Sequence, residues 1–102
     1  MAQGSNVKAS GDYSHAEGEG GSYTINGTSY TSGAYGTASH SEGRYTNAGS
    51  EAAHSEGKYT RAGNTAAHAE GQYTIAKGTA AHAEGYSTIA SGNYSHAEGW
   101  GE

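Results

Sequence analysis

One spacing governs what this chain can fold into. The tetrapeptide His-x-Glu-Gly begins at His15, His40, His54, His68, His82 and His96, and the last five of these histidines are fourteen residues apart. Each His is followed by Ser or Ala, then by Glu (Glu17, Glu42, Glu56, Glu70, Glu84, Glu98), then by Gly. The full repeat reads HxEGxYTxAxGxx[SA], with the second glycine one place early at Gly49 and Gly63. A shorter pattern lies inside it. Thr88-Ile89-Ala90-Ser91-Gly92 and Ser95-His96-Ala97-Glu98-Gly99 both read [ST]-x-A-x-G, seven residues apart, and Val7–Gly11 precedes Ser14–Gly18 in the same way. A catalytic constellation is not expected to recur along a whole chain, whereas a stacked structural unit must.

The repeat also has to explain how the chain folds at all. It has 102 residues, no Leu and no Phe, and its large aliphatics are Met1, Val7, Ile25, Ile75 and Ile89. A buried aliphatic side chain contributes roughly 1.5–3 kcal/mol, against a backbone entropy cost of about 1–2 kcal/mol for every residue ordered. An ordinary globular monomer with a conventional core is therefore not expected. Alternation at period two reads as strand. In each half-unit the small residues point inward: Ser14, Ala16 and Gly18; Thr74, Ala76 and Gly78; Thr88, Ala90 and Gly92; Ser95, Ala97 and Gly99. Two five-residue strands with short turns make one flattened coil of an all-β solenoid, too narrow inside for anything larger, with Gly supplying positive φ at the corners. Six coils at about 4.8 Å per coil would stand ~29 Å tall. The whole chain, 1–102, reads as a single repeat domain.

One coil is longer. His15 and His40 are twenty-five residues apart, an excess of eleven over the repeat, and Ala34–Ser39 already fits the end of a normal coil. The excess contains SYTINGTSYT, where Asn26-Gly27 is a two-residue turn signal between strand-like runs. The expectation is a β-hairpin inserted at about 20–33 and projecting outward.

The [ST]-x-A-x-G half-repeat at a fourteen-residue period resembles the head repeats of trimeric autotransporter adhesins, the YadA-like heads, over residues 7–99 apart from the insertion. The resemblance implies a left-handed parallel β-roll assembled as a homotrimer, with Ser, Ala and Gly inside each roll and the intervening residues of one strand facing other chains. It implies attachment to a host matrix or cell-surface ligand, and an extracellular, cell-surface or virion-fibre location, since similar repeats also suit phage and other surface fibres. The chain departs from the pattern in placing His and Glu where the family typically has Val and Ile. It also contains no neck, stalk or anchor segment.

His and Glu two residues apart on a strand share a face. Stacking would place successive carboxylates about 4.8 Å apart, which is destabilising unless donors intervene. A matching row of imidazoles supplies them. His15, Glu17, His40, Glu42, His54, Glu56, His68, Glu70, His82, Glu84, His96 and Glu98 are therefore read as an inter-chain polar ladder. Imidazole and carboxylate also suit zinc or nickel, making His40, His54, His68, His82 and His96 the candidate ligands. No catalytic residue and no cofactor is expected, because nothing singles out one copy. Protonating six histidines would take the formal charge from −5 to +1, so acidification below about pH 6 is expected to change assembly stability.

Other features point to structure. Five scattered Lys and Arg residues argue against a nucleic-acid partner. MAQGSNVK lacks the apolar segment of a signal peptide, and no apolar run is long enough to span a membrane, so a chain not exported by that route or a fragment of a longer one is expected. Tyr45, Tyr59 and Tyr73 should stack along one edge, and Thr46, Thr60, Thr74 and Thr88 should align inside, which disfavours an ice-binding face. Asn26-Gly27-Thr28 and Asn93-Tyr94-Ser95 match a glycosylation pattern but read as turns. Trp100, with Gly101 and Glu102, is expected to cover the last open coil.

Overall fold

Small residues alternating with long ones fold, as expected, into stacked coils. A computed structural model describes residues 2–25 and 27–100. Among them there is no helix, and parallel strands stack into a β-solenoid of about seven turns at the fourteen-residue spacing. In chain order the strands are β1 (Ala2–Ser5), β2 (His15–Glu19), β3 (Ser22–Ile25), β4 (Thr28–Thr31), β5 (Gly33–Ala34), β6 (His40–Ala48), β7 (His54–Ala62), β8 (His68–Ala76), β9 (His82–Ala83), β10 (Ile89–Ala90) and β11 (His96–Ala97). β1, β2, β6, β7, β8, β9 and β11 stack in that order, and β5 and β10 join the same sheet through β6 and β8. The register is the repeat itself: His40 lies over His54, His54 over His68, His68 over His82 and His82 over His96. The longest dimension is 31 Å, in line with the height expected from coil stacking.

The interior is built from methyl and hydroxyl groups. Ala48, Ala62, Ala76 and Ala90 form one buried row, and Ala53, Ala67, Ala69, Ala81 and Ala83 pack against it. Thr46, Thr60, Thr74 and Thr88 are buried beside them, as the alternation predicts. In two coils the hydroxyls satisfy one another, with Ser41 and Thr46 2.6 Å apart and Ser55 and Thr60 also 2.6 Å apart. In the next coil Ala69 replaces the serine, and the buried Thr74 Oγ1 has no partner among the described residues.

The corners differ from the simple expectation. β6, β7 and β8 each run nine residues, passing through one connector, so only one of the two connectors interrupts the ladder. At the bend, Tyr45, Tyr59 and Tyr73 take φ of 58–59°, and at the opposite corner Ala38, Ala52, Ala66 and Ala80 take 57–59°, apart from 56° at Ala52. Left-handed backbone at such residues costs roughly 1–2 kcal/mol each, which the pairing of neighbouring coils must offset. The glycine of HxEG has a separate requirement. Gly57 has φ of 109°, and a Cβ there would stand 2.1 Å from the carbonyl oxygen of Gly71 in the next coil. This glycine closes the roll at its rim, so Gly18 and Gly99 are exposed rather than interior. Gly92 is likewise exposed, and Ser95 and Ala97 are only partly buried, because the final described coil has a neighbour on one side only.

The insertion is a hairpin, β3 pairing antiparallel with β4. Its Asn26 lies outside the described residues. The hairpin does not project outward. Ser32 N donates to Gly21 O at 2.9 Å and closes its base, and the ribbon lies along the flank of the roll. Tyr23 and Ile25 are buried against Ile75, with Tyr30, Tyr45 and Tyr59 around them. The Tyr23 hydroxyl donates to Thr60 O at 2.6 Å, and Asn47 Nδ2 donates to Thr31 O. The alternating apolar residues Tyr23 and Ile25 need a surface to bury, and the outward positions Asn47, Arg61 and Ile75 of β6, β7 and β8 provide it. These positions vary from coil to coil because each meets a different part of the hairpin.

Burial pushes the Tyr23 hydroxyl well above its ordinary value near 10, with the Arg61 charge opposing that shift. The neutral phenol is therefore the folded form, and its stabilising contribution is fully present below about pH 10 and is lost as the pH rises further. Tyr23→Phe should lower stability by about 1 kcal/mol at pH 7 and should flatten the loss of stability above about pH 10. Urea unfolding followed by circular dichroism at a series of pH values checks both, and equal alkaline slopes for the two proteins would contradict the assignment.

Candidate functional site

The repeated His and Glu lie on the outward face of the first half of each coil, where strand alternation places them. The imidazoles form a continuous stack. Ring centroids are 4.5–4.8 Å apart, and from His40 to His96 the interplanar angles are 3–7°. The His15 ring is tilted by 31° against His40. Because each ring is fixed by its backbone register, the stack is a consequence of the ladder and needs no separate positioning device.

The carboxylates run beside the rings and change partner along the stack. His15 Nε2 donates to Glu17 Oε1 at 2.8 Å. His40 and His54 approach Glu42 and Glu56 at 3.0 Å, yet their Nε2 atoms are screened from solvent and not aligned for a hydrogen bond. From His68 onward the pairing becomes a zigzag. His68 lies 3.6 Å from Glu56 and 3.4 Å from Glu70, and His82 lies 3.3 Å from Glu70 and 3.2 Å from Glu84. His96 reaches Glu84 at 3.6 Å and Glu98 at 2.9 Å. All twelve ladder residues are thus brought onto one face. Between His54 and His82, the His and Glu side chains keep 33–38% of their surface exposed. Contacts that open to water contribute little individually.

Chemically, the face offers repeated His–Glu–His sets. His15–Glu17–His40, His40–Glu42–His54, His54–Glu56–His68 and His68–Glu70–His82 each gather three possible ligand atoms within 4.8 Å, as do Glu84, His96 and Glu98. Zinc takes imidazole nitrogen and carboxylate oxygen at about 2.0–2.2 Å, and each His–Glu–His set offers two such nitrogens and one such oxygen.

The first coil also belongs to the stack. Ala2, Gln3 and Gly4 pair with Ala16, Glu17 and Gly18, so Gln3 occupies a ladder position with an uncharged side chain. The signal was in plain view: MAQG stands fourteen residues before HAEG. On the neighbouring edge Tyr45, Tyr59 and Tyr73 stack at 4.9–5.1 Å, as the repeat predicts. Trp100 stacks on Tyr86 at 4.7 Å and is 78% exposed. It therefore continues a flank ladder and does not cover the coil end, while Gly101 and Glu102 lie outside the described residues. Asn93 lies in a turn, as expected, and its Oδ1 accepts from Thr79 N of the preceding coil at 3.0 Å. Among the described residues no helix is long and apolar enough to cross a membrane.

If the imidazoles relieve repulsion between carboxylates, His68→Ala should cost about 0.5–1 kcal/mol. In a Glu56→Gln, Glu70→Gln background the same change should cost less than about half as much. Chemical denaturation of the four proteins checks this, and an unchanged cost in both backgrounds would contradict it.

Compared with protein-family models, curated protein sequences and solved structures, the chain matches none of them. Its function is therefore read from the ladder and from the surfaces around it.

Proposed function

We propose that this chain is a non-enzymatic structural and adhesive module, a YadA-like head in which three copies meet across their His–Glu faces and present a rigid outer surface for attachment. The observation that carries this reading is the contrast between the two outward faces. One is covered by the chain's own hairpin, with Ile75 only 4% exposed beneath it. The other is an unbroken row of His–Glu contacts left half open along its length. Repeated residues on an open face suit assembly better than catalysis, since every rung offers the same pair of residues. The trimer number and left-handed coiling in this proposal rest on the resemblance of the repeat.

A second reading is favoured by the His–Glu–His sets: the same ladder takes up zinc or nickel and sets assembly stability by metal and pH. The two readings separate in one experiment. Sedimentation equilibrium of the chain with EDTA should give three times its 10.3 kDa mass. A species at the single-chain mass would contradict the trimer. Assembly that appears only with added zinc would establish the second reading instead.

A further inference from the structure

Gly49 and Gly63 break the repeat by arriving one place early, and the structure supplies the reason. Between them lies the guanidinium of Arg61. A Cβ at position 49 would stand 3.0 Å from Arg61 Nη2, and a Cβ at position 63 would stand 3.2 Å from it. In the next coil the corresponding residue is Lys77, not glycine. The two glycines thus make room for one flat cationic group, which is covered from the other side by Tyr30 at 4.7 Å from its ring centre.

This cation is held in place but not neutralised. Among the described residues Arg61 makes no ion pair, and its Nε is buried without a hydrogen-bond partner. The neighbouring Asn47 Oδ1 is equally unpartnered, so the two groups do not satisfy each other. An unpaired buried donor on a charged group is costly. Beside it opens a cleft of about 230 Å³ lined by Tyr30, Arg61, Gly63, Ile75 and Lys77. It contains two cations and no carboxylate, with an apolar floor at Ile75 and an aromatic wall at Tyr30.

We propose that this cleft, between the hairpin and the roll, binds a compact oxyanion carried on a small body, such as the carboxylate of an acidic sugar or a phosphate group. Arg61 supplies donors from the outer end of its guanidinium. Lys77 adds a second charge from the adjacent coil. Tyr30 and Ile75 pack against the body that bears the anion. The site lies within one chain, so it stands or falls separately from the trimer.

Isothermal titration calorimetry at constant ionic strength tests this with two probes, sodium glucuronate and inorganic phosphate. Saturable binding of glucuronate alone identifies a carboxylated sugar-like ligand, and binding of phosphate alone identifies a phosphate group. Arg61→Gln and, separately, the exposed Lys77→Gln should each weaken the effective probe at least about tenfold. Arg44→Gln, whose guanidinium already pairs with Glu19 at 3.0 Å, should leave it unchanged. Lys77→Gln keeps the test valid if Arg61→Gln fails to fold. No saturable binding of either probe, or binding unaffected by Lys77→Gln, would overturn the proposal.

Discussion

Backbone hydrogen bonds from His40 N to Ala53 O, His54 N to Ala67 O and His68 N to Ala81 O repeat at the period of the sequence, and the rest of the molecule depends on this in-register pairing. It holds left-handed corners at Tyr59 and Ala66 that an isolated coil would not keep. It brings Gly57 so close to Gly71 O that no side chain is tolerated there. It compresses the interior until Ala, Ser and Thr fill it, which is how a chain without Leu or Phe buries a core. It also forces each His above the next His. The ladder is therefore a product of the fold before it is anything functional, and its chemistry follows from the choice of residue at a fixed position.

The same pairing gives each coil two outward faces, and the chain treats them differently. Eleven residues inserted before Ser32 cover one face with a hairpin anchored by Tyr23 on the Thr60 carbonyl. The covered face is irregular, because Asn47, Arg61 and Ile75 each meet a different hairpin group. The open face is regular from His40 to His96. Regularity suits a contact that is repeated rung by rung, and irregularity suits a single cleft. An architectural role for the first and a ligand site on the second are consistent with one another.

Much of this was legible in the sequence because the repeat is short and its alternation strict. Coil length, the inward Thr row, the stacked Tyr45, Tyr59 and Tyr73, and the hairpin strands all follow from spacing. The hairpin's direction did not, since Tyr23 and Ile25 show only that it has an apolar face and not which surface covers it. The corner alanines gave no sign of positive φ, because nothing in an alanine's chemistry prefers it. The first coil was marked by its spacing, MAQG standing fourteen residues before HAEG, although Gln3 takes the place of Glu. The early glycines Gly49 and Gly63 were visible as irregularities, but their cause, the Arg61 side chain lying across them, is a contact between coils that spacing alone does not reveal.

If the fourteen-residue coil is the structural unit, whole coils are removable and parts of coils are not. The most direct measurement is thermal unfolding, by circular dichroism, of two deletion proteins. Removing residues 68–81 places Thr88, Ile89 and Ala90 where Thr74, Ile75 and Ala76 stood, and keeps every later residue in register. That protein should retain strand structure and one cooperative transition at a somewhat lower temperature. Removing only residues 68–77 shifts the following coils against their neighbours, and that protein should lose the transition. Equal behaviour of the two would contradict an account built on register.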